Sequence, residues 1–265
     1  VNTEEAQAQD LSDRQCISTL VDHRGQPIPV LHIDYHCIVV NKPHNMLSVP
    51  AHSDHLGVSL FTQLLALFPE VRCVHRLDYE TSGVMVFARG KKAERLLFEQ
   101  FRNRVVEKKY WAICHQPPTT QLGEITLAIG KDDVSSPYQR THALKRKAAK
   151  TLWHKMGYLN NLWFAELRPI TGRTHQLRVH LSAIGSPIFG DPLYGPYPIA
   201  PRHTHYQRLY LHAAEIQFVH PVSQLHMHFT CLPADIADHL SAPLWQHFES
   251  HLVPSKPPEV LSFDT

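Results

Sequence analysis

The chain has 265 residues, 43% of them hydrophobic, enough to bury a substantial core in one large domain or two small ones, which excludes a disordered chain. No run approaches the roughly 18 apolar residues that cross a bilayer, the acidic start lacks the order of a signal peptide, and five scattered cysteines without a Cys-x-x-Cys pair fit neither a disulfide framework nor a zinc knuckle; a cytoplasmic protein is expected. The net charge is only +2, but residues 1–23 and 232–265 each hold five acids against one base, so the middle is basic, and 134–165 carries six bases and no acid, the footprint of a polyanion partner or equally of a solvated face.

Residues 1–28 are acidic and weakly periodic and read as a tail or loose strand. Two apolar runs, 29–33 and 37–40, predict strands that lead into Asn41-Lys42-Pro43 and, after a turn at His44-Asn45, Ser48-Val49-Pro50. Leu60, Phe61, Leu64, Leu65 and Phe68 recur at helical spacing until Pro69, so a helix over 58–68 buries one face. Strands over 71–75 and 83–88 then flank a polar turn, His75-Arg76-Leu77-Asp78-Tyr79-Glu80-Thr81-Ser82-Gly83. The second strand is almost wholly apolar, the pattern of burial on both faces. Thr81, Ser82 and Gly83 can turn the chain and donate hydrogen bonds that orient the Asp78 carboxylate. Taken alone, an Asp in such a turn is more often a cap than a reacting group.

A second helix, 91–103, turns Ala93, Leu96, Leu97 and Phe101 inward and Lys92, Arg95, Glu99 and Arg102 outward. The strand over 107–113 puts Tyr110 on one face and Lys109 and Trp111 on the other. Strands follow over 122–129, 150–156 and 162–167, the last two joined by a hairpin at 157–161. Between them the polar segment 131–149, with Lys145, Arg146 and Lys147, forms a basic arm suited to a nucleic-acid backbone or to solvent. The run from Arg168 to His180 includes Arg173, His175 and a helix over 174–184, from whose first turns Arg178 can reach Asp78. Residues 190–195 read as a structural turn. The pairs His203, His205 and His226, His228 imply no third ligand by spacing, so no metal is expected. A helix over 234–248 and a tail over 250–265 complete the chain.

Together these stretches resemble the RluA family of RNA pseudouridine synthases. Its signature His-Arg-Leu-Asp, two variable residues, Thr-Ser-Gly is met at 75–83. Asn41-Lys42-Pro43, the segment Lys108 to Ala112, Ala149-Lys150-Thr151, and the elements between Arg168 and Gly195 are also similar, in family order. The resemblance implies an α+β chain with the pseudouridine synthase fold: a long mixed, mostly antiparallel sheet, flanking helices and a central RNA-binding cleft, in one catalytic domain over 29–249. It further implies a reaction that detaches uracil from ribose and rejoins it through carbon 5, without a cofactor. Asp78 is then the nucleophile, Arg178 the cation beside it, and Tyr110 stacks on the base or helps remove the carbon 5 proton. Arg76 fills the space left by the flipped uridine, and His75, Lys42, Lys108, Lys109, Lys145, Arg146, Lys147, Arg173 and His175 are expected on the RNA side. The expected partner is an RNA stem-loop in rRNA and/or tRNA, bound by a monomer. Two other classes compete: an RNA-binding scaffold that has lost catalysis, which has no need of Asp78, Tyr110 and Arg178 together, and a glycoside hydrolase, which needs Glu80 as a second acid.

Overall fold

The computed structural model describes residues 20–22, 24–51, 57–131, 138–143, 145–159, 161–196, 208–233 and 246. Residues 1–19, the expected tail at 250–265, the helix at 234–248 apart from Gln246, and His203 and His205 lie outside them. The strands are β1 (Val30–Ile33), β2 (Cys37–Lys42), β3 (Val71–Cys73), β4 (Ser82–Arg89), β5 (Glu107–His115), β6 (Leu122–Ile125), β7 (Gly130–Lys131), β8 (Gln139–Arg140), β9 (Thr151–Leu159), β10 (Leu162–Pro169), β11 (Leu211–Val219) and β12 (His226–Thr230). Ten of them form one sheet in the order β1-β2-β4-β11-β5-β10-β9-β6, with β3 beside β4 and β12 beside β11; β7 and β8 pair apart from it. Among the described residues only β4 and β11 run parallel; the other pairings are antiparallel. This is the long mixed sheet that the resemblance implied.

Among the described residues three helices flank it: α1 (Leu60–Leu67), α2 (Lys91–Asn103) and α3 (Gln176–Ala183). They explain why β4 lacks alternation. Met85 and Phe87 pack on the side of Leu60 and Leu64 of α1, while Val84, Val86 and Ala88 pack on the side of Ala93 and Leu97 of α2, so both pleated faces are covered. A third cluster joins Trp153 and Trp163 of the β9–β10 hairpin to Leu177 and Leu181 and fixes α3 against the sheet.

Several boundaries differ from the expectation, each for a local reason. Leu20 and Ile28 are buried in the first cluster, and Val21 exchanges hydrogen bonds with the Gln63 amide, so these three residues pack against the core. β3 stops at Cys73 because the His75 imidazole, not a backbone carbonyl, accepts the Val86 N–H at 3.0 Å. β9 continues through Gly157, where a register irregularity opposite Phe164 and Ala165 absorbs an extra residue. α3 begins two residues late, because His175 is left-handed at φ 53°, and Ile184 just past its end is 39% exposed.

Gly83 is where the turn bearing Asp78 enters the parallel β4–β11 contact. Its φ is +119°, and a Cβ there would lie 2.2 Å from the Ala213 carbonyl oxygen. Backbone strain and backbone clash therefore add. Gly83→Ala is expected to destabilise the protein by at least about 3 kcal/mol, read as a fall in the thermal midpoint; an unchanged midpoint would mean that the two strands separate freely at this point.

Candidate active site

Asp78 sits in the loop between β3 and β4, and buried contacts hold that loop from behind. The Ser48 hydroxyl donates to the Leu77 carbonyl (2.8 Å) and accepts the Leu77 N–H (3.1 Å). Met46 N–H donates to the Tyr79 carbonyl (3.1 Å), and Thr81 N–H closes a turn on the Asp78 carbonyl (3.2 Å). Asn45 takes the left-handed conformation in the turn at His44-Asn45, which an asparagine tolerates. Lys42, expected to face RNA, is fully buried. Its ammonium donates to the carbonyls of Pro43, Met46 and Tyr79, at 2.9, 2.8 and 3.4 Å. It ties the two loops together and presents no charge to a phosphate, which corrects that expectation.

The cation beside Asp78 is Arg178, but the geometry differs from a simple pair. Its planar fork is bidentate to Asp191, with Nε and Nη2 at 2.8 and 2.7 Å. The remaining nitrogen, Nη1, lies 3.3 Å from Glu80 and 3.8 Å from Asp78. Burial works against the charged guanidinium, yet the hydrogen bonds to Asp191 and the charges of Asp191, Glu80 and Asp78 outweigh it and raise its pKa. Asp191 is held in turn by the N–H groups of Leu193 and Tyr194. The preceding Gly190, at φ +73°, passes so close to the Arg208 carbonyl that a Cβ would clash at 2.0 Å. The 190–195 turn, expected to be only structural, thus supplies the carboxylate that orients Arg178. The Gly-Asp pair within that motif was the available signal. Glu80, in a variable position of the signature, also joins the cluster.

On the other side of Asp78, His175 Nε2 is 4.0 Å from its carboxylate, while His175 Nδ1 pairs with the Tyr194 hydroxyl at 2.8 Å. Burial lowers the pKa of His175, opposed by the charge of Asp78, which favours the neutral ring. Tyr110 projects from β5 toward the same space. Burial first, and the charge of Asp78 second, raise its phenol pKa, so the hydroxyl stays protonated at neutral pH.

A cavity of about 990 Å³ gathers Asp78, Tyr110, Arg178 and His175, together with Arg76, His75, Lys108, Lys109, Thr81 and Arg173. The exposed Arg102 and Arg104 from the end of α2 join its lining and were not foreseen. Arg76 is exposed. His75 shapes the loop: stacked on Phe101 with centroids 4.6 Å apart, its pKa is lowered to about 3 by burial and by Lys108, so it carries no charge for RNA. Lys109 pairs with Glu215 (2.8 Å) and Glu166 (3.7 Å). Lys145, Arg146 and Lys147 are exposed but do not line the cavity. Arg146 donates to the Thr141 carbonyl, and Lys147 pairs its backbone with Ile129.

His32, Asp34 and Cys37 bring three donor atoms within 4.8 Å of one another elsewhere, a trio that spacing did not suggest. Asp34 Oδ1 already accepts the N–H groups of His36 and Cys37, and Oδ2 pairs with His32 and His220. His220 Nδ1 accepts backbone N–H groups, so the proton sits on Nε2, facing Asp34. The trio is therefore a hydrogen-bonded turn.

Comparison with known proteins identifies the family. The profile of RNA pseudouridylate synthase matches residues 36–183, which include Asp78, Tyr110 and Arg178. The dual-specificity RNA pseudouridine synthase RluA of Vibrio cholerae is 36% identical over 222 residues, 84% of this chain and 89% of that one. The protein of the same name from Escherichia coli O157:H7 is 39% identical over 210 residues, 78% and 93% of the two chains. Among solved structures, human RNA pseudouridylate synthase domain containing 1 superposes with a TM-score of 0.66 at 25% identity, covering 87% of this chain and 96% of that one. With the sheet, the cleft and the signature at 75–83 in agreement, the chain belongs to the RluA family of RNA pseudouridine synthases, isomerases that convert uridine in RNA to pseudouridine.

Proposed function

We infer that Asp78 is the nucleophile, that Arg178 is the buried cation that holds the acidic cluster around it, and that the target nucleotide enters the cavity lined by Tyr110. The observation that carries this reading is the convergence of these three side chains, from the β3–β4 loop, α3 and β5, on one cavity with a basic rim. The bond from ribose carbon 1′ to uracil N1 breaks and one to carbon 5 forms; N1 gains a proton as carbon 5 loses one, so no oxidant or reductant is required. Asp78 forms the covalent intermediate, at the sugar or at the ring. Tyr110, as a neutral phenol beside Asp78, stacks on the base and can hand its own proton to that carboxylate while taking the carbon 5 proton. Tyr110→Phe is expected to keep RNA affinity within about threefold and slow turnover by about a hundredfold, the scale of acid–base assistance; wild-type turnover would leave the ring only a stacking role.

The substrate is a stem-loop in ribosomal RNA, transfer RNA or both, recognised by one monomer in the cytoplasm. The name of the relatives, dual-specificity RNA pseudouridine synthase, supports a single cleft serving more than one RNA. Arg76, Arg102, Arg104, Lys108 and Arg173 around the cavity suit the phosphates that flank a flipped base. The test is chemical mapping of pseudouridine in ribosomal and transfer RNA transcripts after incubation with the protein, with single-turnover rates on the full transcript and on the excised hairpin. A hairpin of about 15 to 20 nucleotides, near the span of one RNA-binding domain, is expected to react within about tenfold of the transcript. A loss of about a hundredfold would show that RNA structure beyond the cavity is read, and no pseudouridine in either RNA class would overturn this choice of substrate.

A further inference from the structure

The nucleophile and its near neighbour in the turn each lack what the other can supply. The oxygens of Asp78 lie 3.8 Å from Arg178 and 4.0 Å from His175, and among the described residues no side chain or backbone donor hydrogen-bonds to them. Arg178 does not close that gap in this arrangement: its fork holds Asp191, and its last nitrogen hydrogen-bonds Glu80 at 3.3 Å while standing 3.8 Å from Asp78. Three residues on, Thr81 is 2% exposed, and its hydroxyl is buried without any hydrogen-bond partner. Both residues line the same cavity, and the Thr81 N–H already closes the turn on the Asp78 carbonyl. The adjacent Ser82 differs: its hydroxyl accepts from Arg208 at 2.7 Å and pairs with His212 at 2.8 Å. A buried hydroxyl with no partner contributes nothing to folding and works against it, so a valine of the same shape would serve the fold at least as well.

We propose that the Thr81 hydroxyl is a positioning group for the nucleophile, donating to the Asp78 carboxylate once the target nucleotide fills the cavity. The proposal rests on Asp78 being the nucleophile. Before binding, the Asp78 side chain is 23% exposed and solvent can reach it. A base that enters excludes that solvent, and the carboxylate then needs a protein donor to stay ionised and aimed. The movement required is a change of side-chain rotamer within a turn that the Thr81 N–H already closes on the Asp78 carbonyl.

The experiment compares Thr81→Val, which keeps the shape, with Thr81→Ser, which keeps the hydroxyl. Single-turnover pseudouridine formation at saturating RNA, RNA affinity and thermal midpoint are read for each. Thr81→Val is expected to slow the chemical step by about ten- to a hundredfold, the worth of a hydrogen bond to a charged group. Its RNA affinity stays within about threefold and its midpoint does not fall, while Thr81→Ser keeps its rate within about threefold. Wild-type rate in Thr81→Val overturns the proposal, as does a Thr81→Ser as slow as Thr81→Val, which would show that the hydroxyl alone does not sustain the rate. So does a loss confined to affinity. Asp78→Asn run alongside separates the two levels: if it turns over normally, the nucleophile reading fails and this proposal with it. If it is dead while Thr81→Val is fast, only this proposal fails.

Discussion

Asp78→Asn is expected to reduce uridine isomerisation to less than about one per cent of wild type while leaving RNA affinity within about tenfold. The amide keeps the size of the side chain and removes the carboxylate oxygen proposed as the nucleophile. The loop should survive the change, because its anchors are backbone and second-line groups: Ser48 on Leu77, Lys42 on Tyr79, and the Thr81 N–H on the Asp78 carbonyl. None of them uses the carboxylate. The neutral amide also relieves repulsion in a cluster where Asp78, Glu80 and Asp191 surround one guanidinium, so a fall in the thermal midpoint is not expected. Discontinuous measurement of pseudouridine by chemical mapping, paired with a binding isotherm, separates the two effects. Residual turnover above a few per cent would sink the nucleophile assignment, and equal losses of binding and turnover would give Asp78 a role in holding RNA instead.

The parts of this site that were legible in the sequence are those set by short-range chemistry. The turn 75–83 announced itself by polar residues between two apolar runs, and α2 by its 3.6-residue period, which the structure reproduces from Lys91 to Asn103. What remained hidden depends on which distant groups meet. Lys42 looks like a surface cation in sequence, yet three carbonyls from two loops converge on its ammonium and make burial tolerable. Lys109 is diverted by Glu215, from the neighbouring strand β11, and Glu166, from β10. No periodicity encodes such a cross-strand match. The fold itself was reached through the resemblance, since strands and helices in this order are compatible with many α+β arrangements.

The buried carboxylate that sequence reading left in a structural turn carries the second large expectation. Arg178 has no exposed side-chain surface and neither has Asp191, so the two form a desolvated, bidentate pair whose third direction, through Nη1, serves Glu80 and Asp78. One planar fork satisfies three directions at once, which a lysine ammonium on a flexible stem cannot copy. Arg178→Lys is expected to keep the local charge and much of the stability but to slow single-turnover isomerisation by at least about a hundredfold. Arg178→Ala goes further. It leaves the Asp191 carboxylate buried without its cation, at a cost of roughly 3 to 5 kcal/mol, the scale of breaking such a pair from one side. In a chain of this size that lowers the thermal midpoint by about 6 to 20 °C. Asp191→Asn should fall between them, slowing turnover although the residue touches no substrate, because Nη1 loses its fixed aim at Asp78. Rates and melting curves for the three variants decide the matter. A fully active Arg178→Lys, or an Asp191→Asn with wild-type turnover, would mean that charge alone suffices and that the fork has no part in aiming the nucleophile.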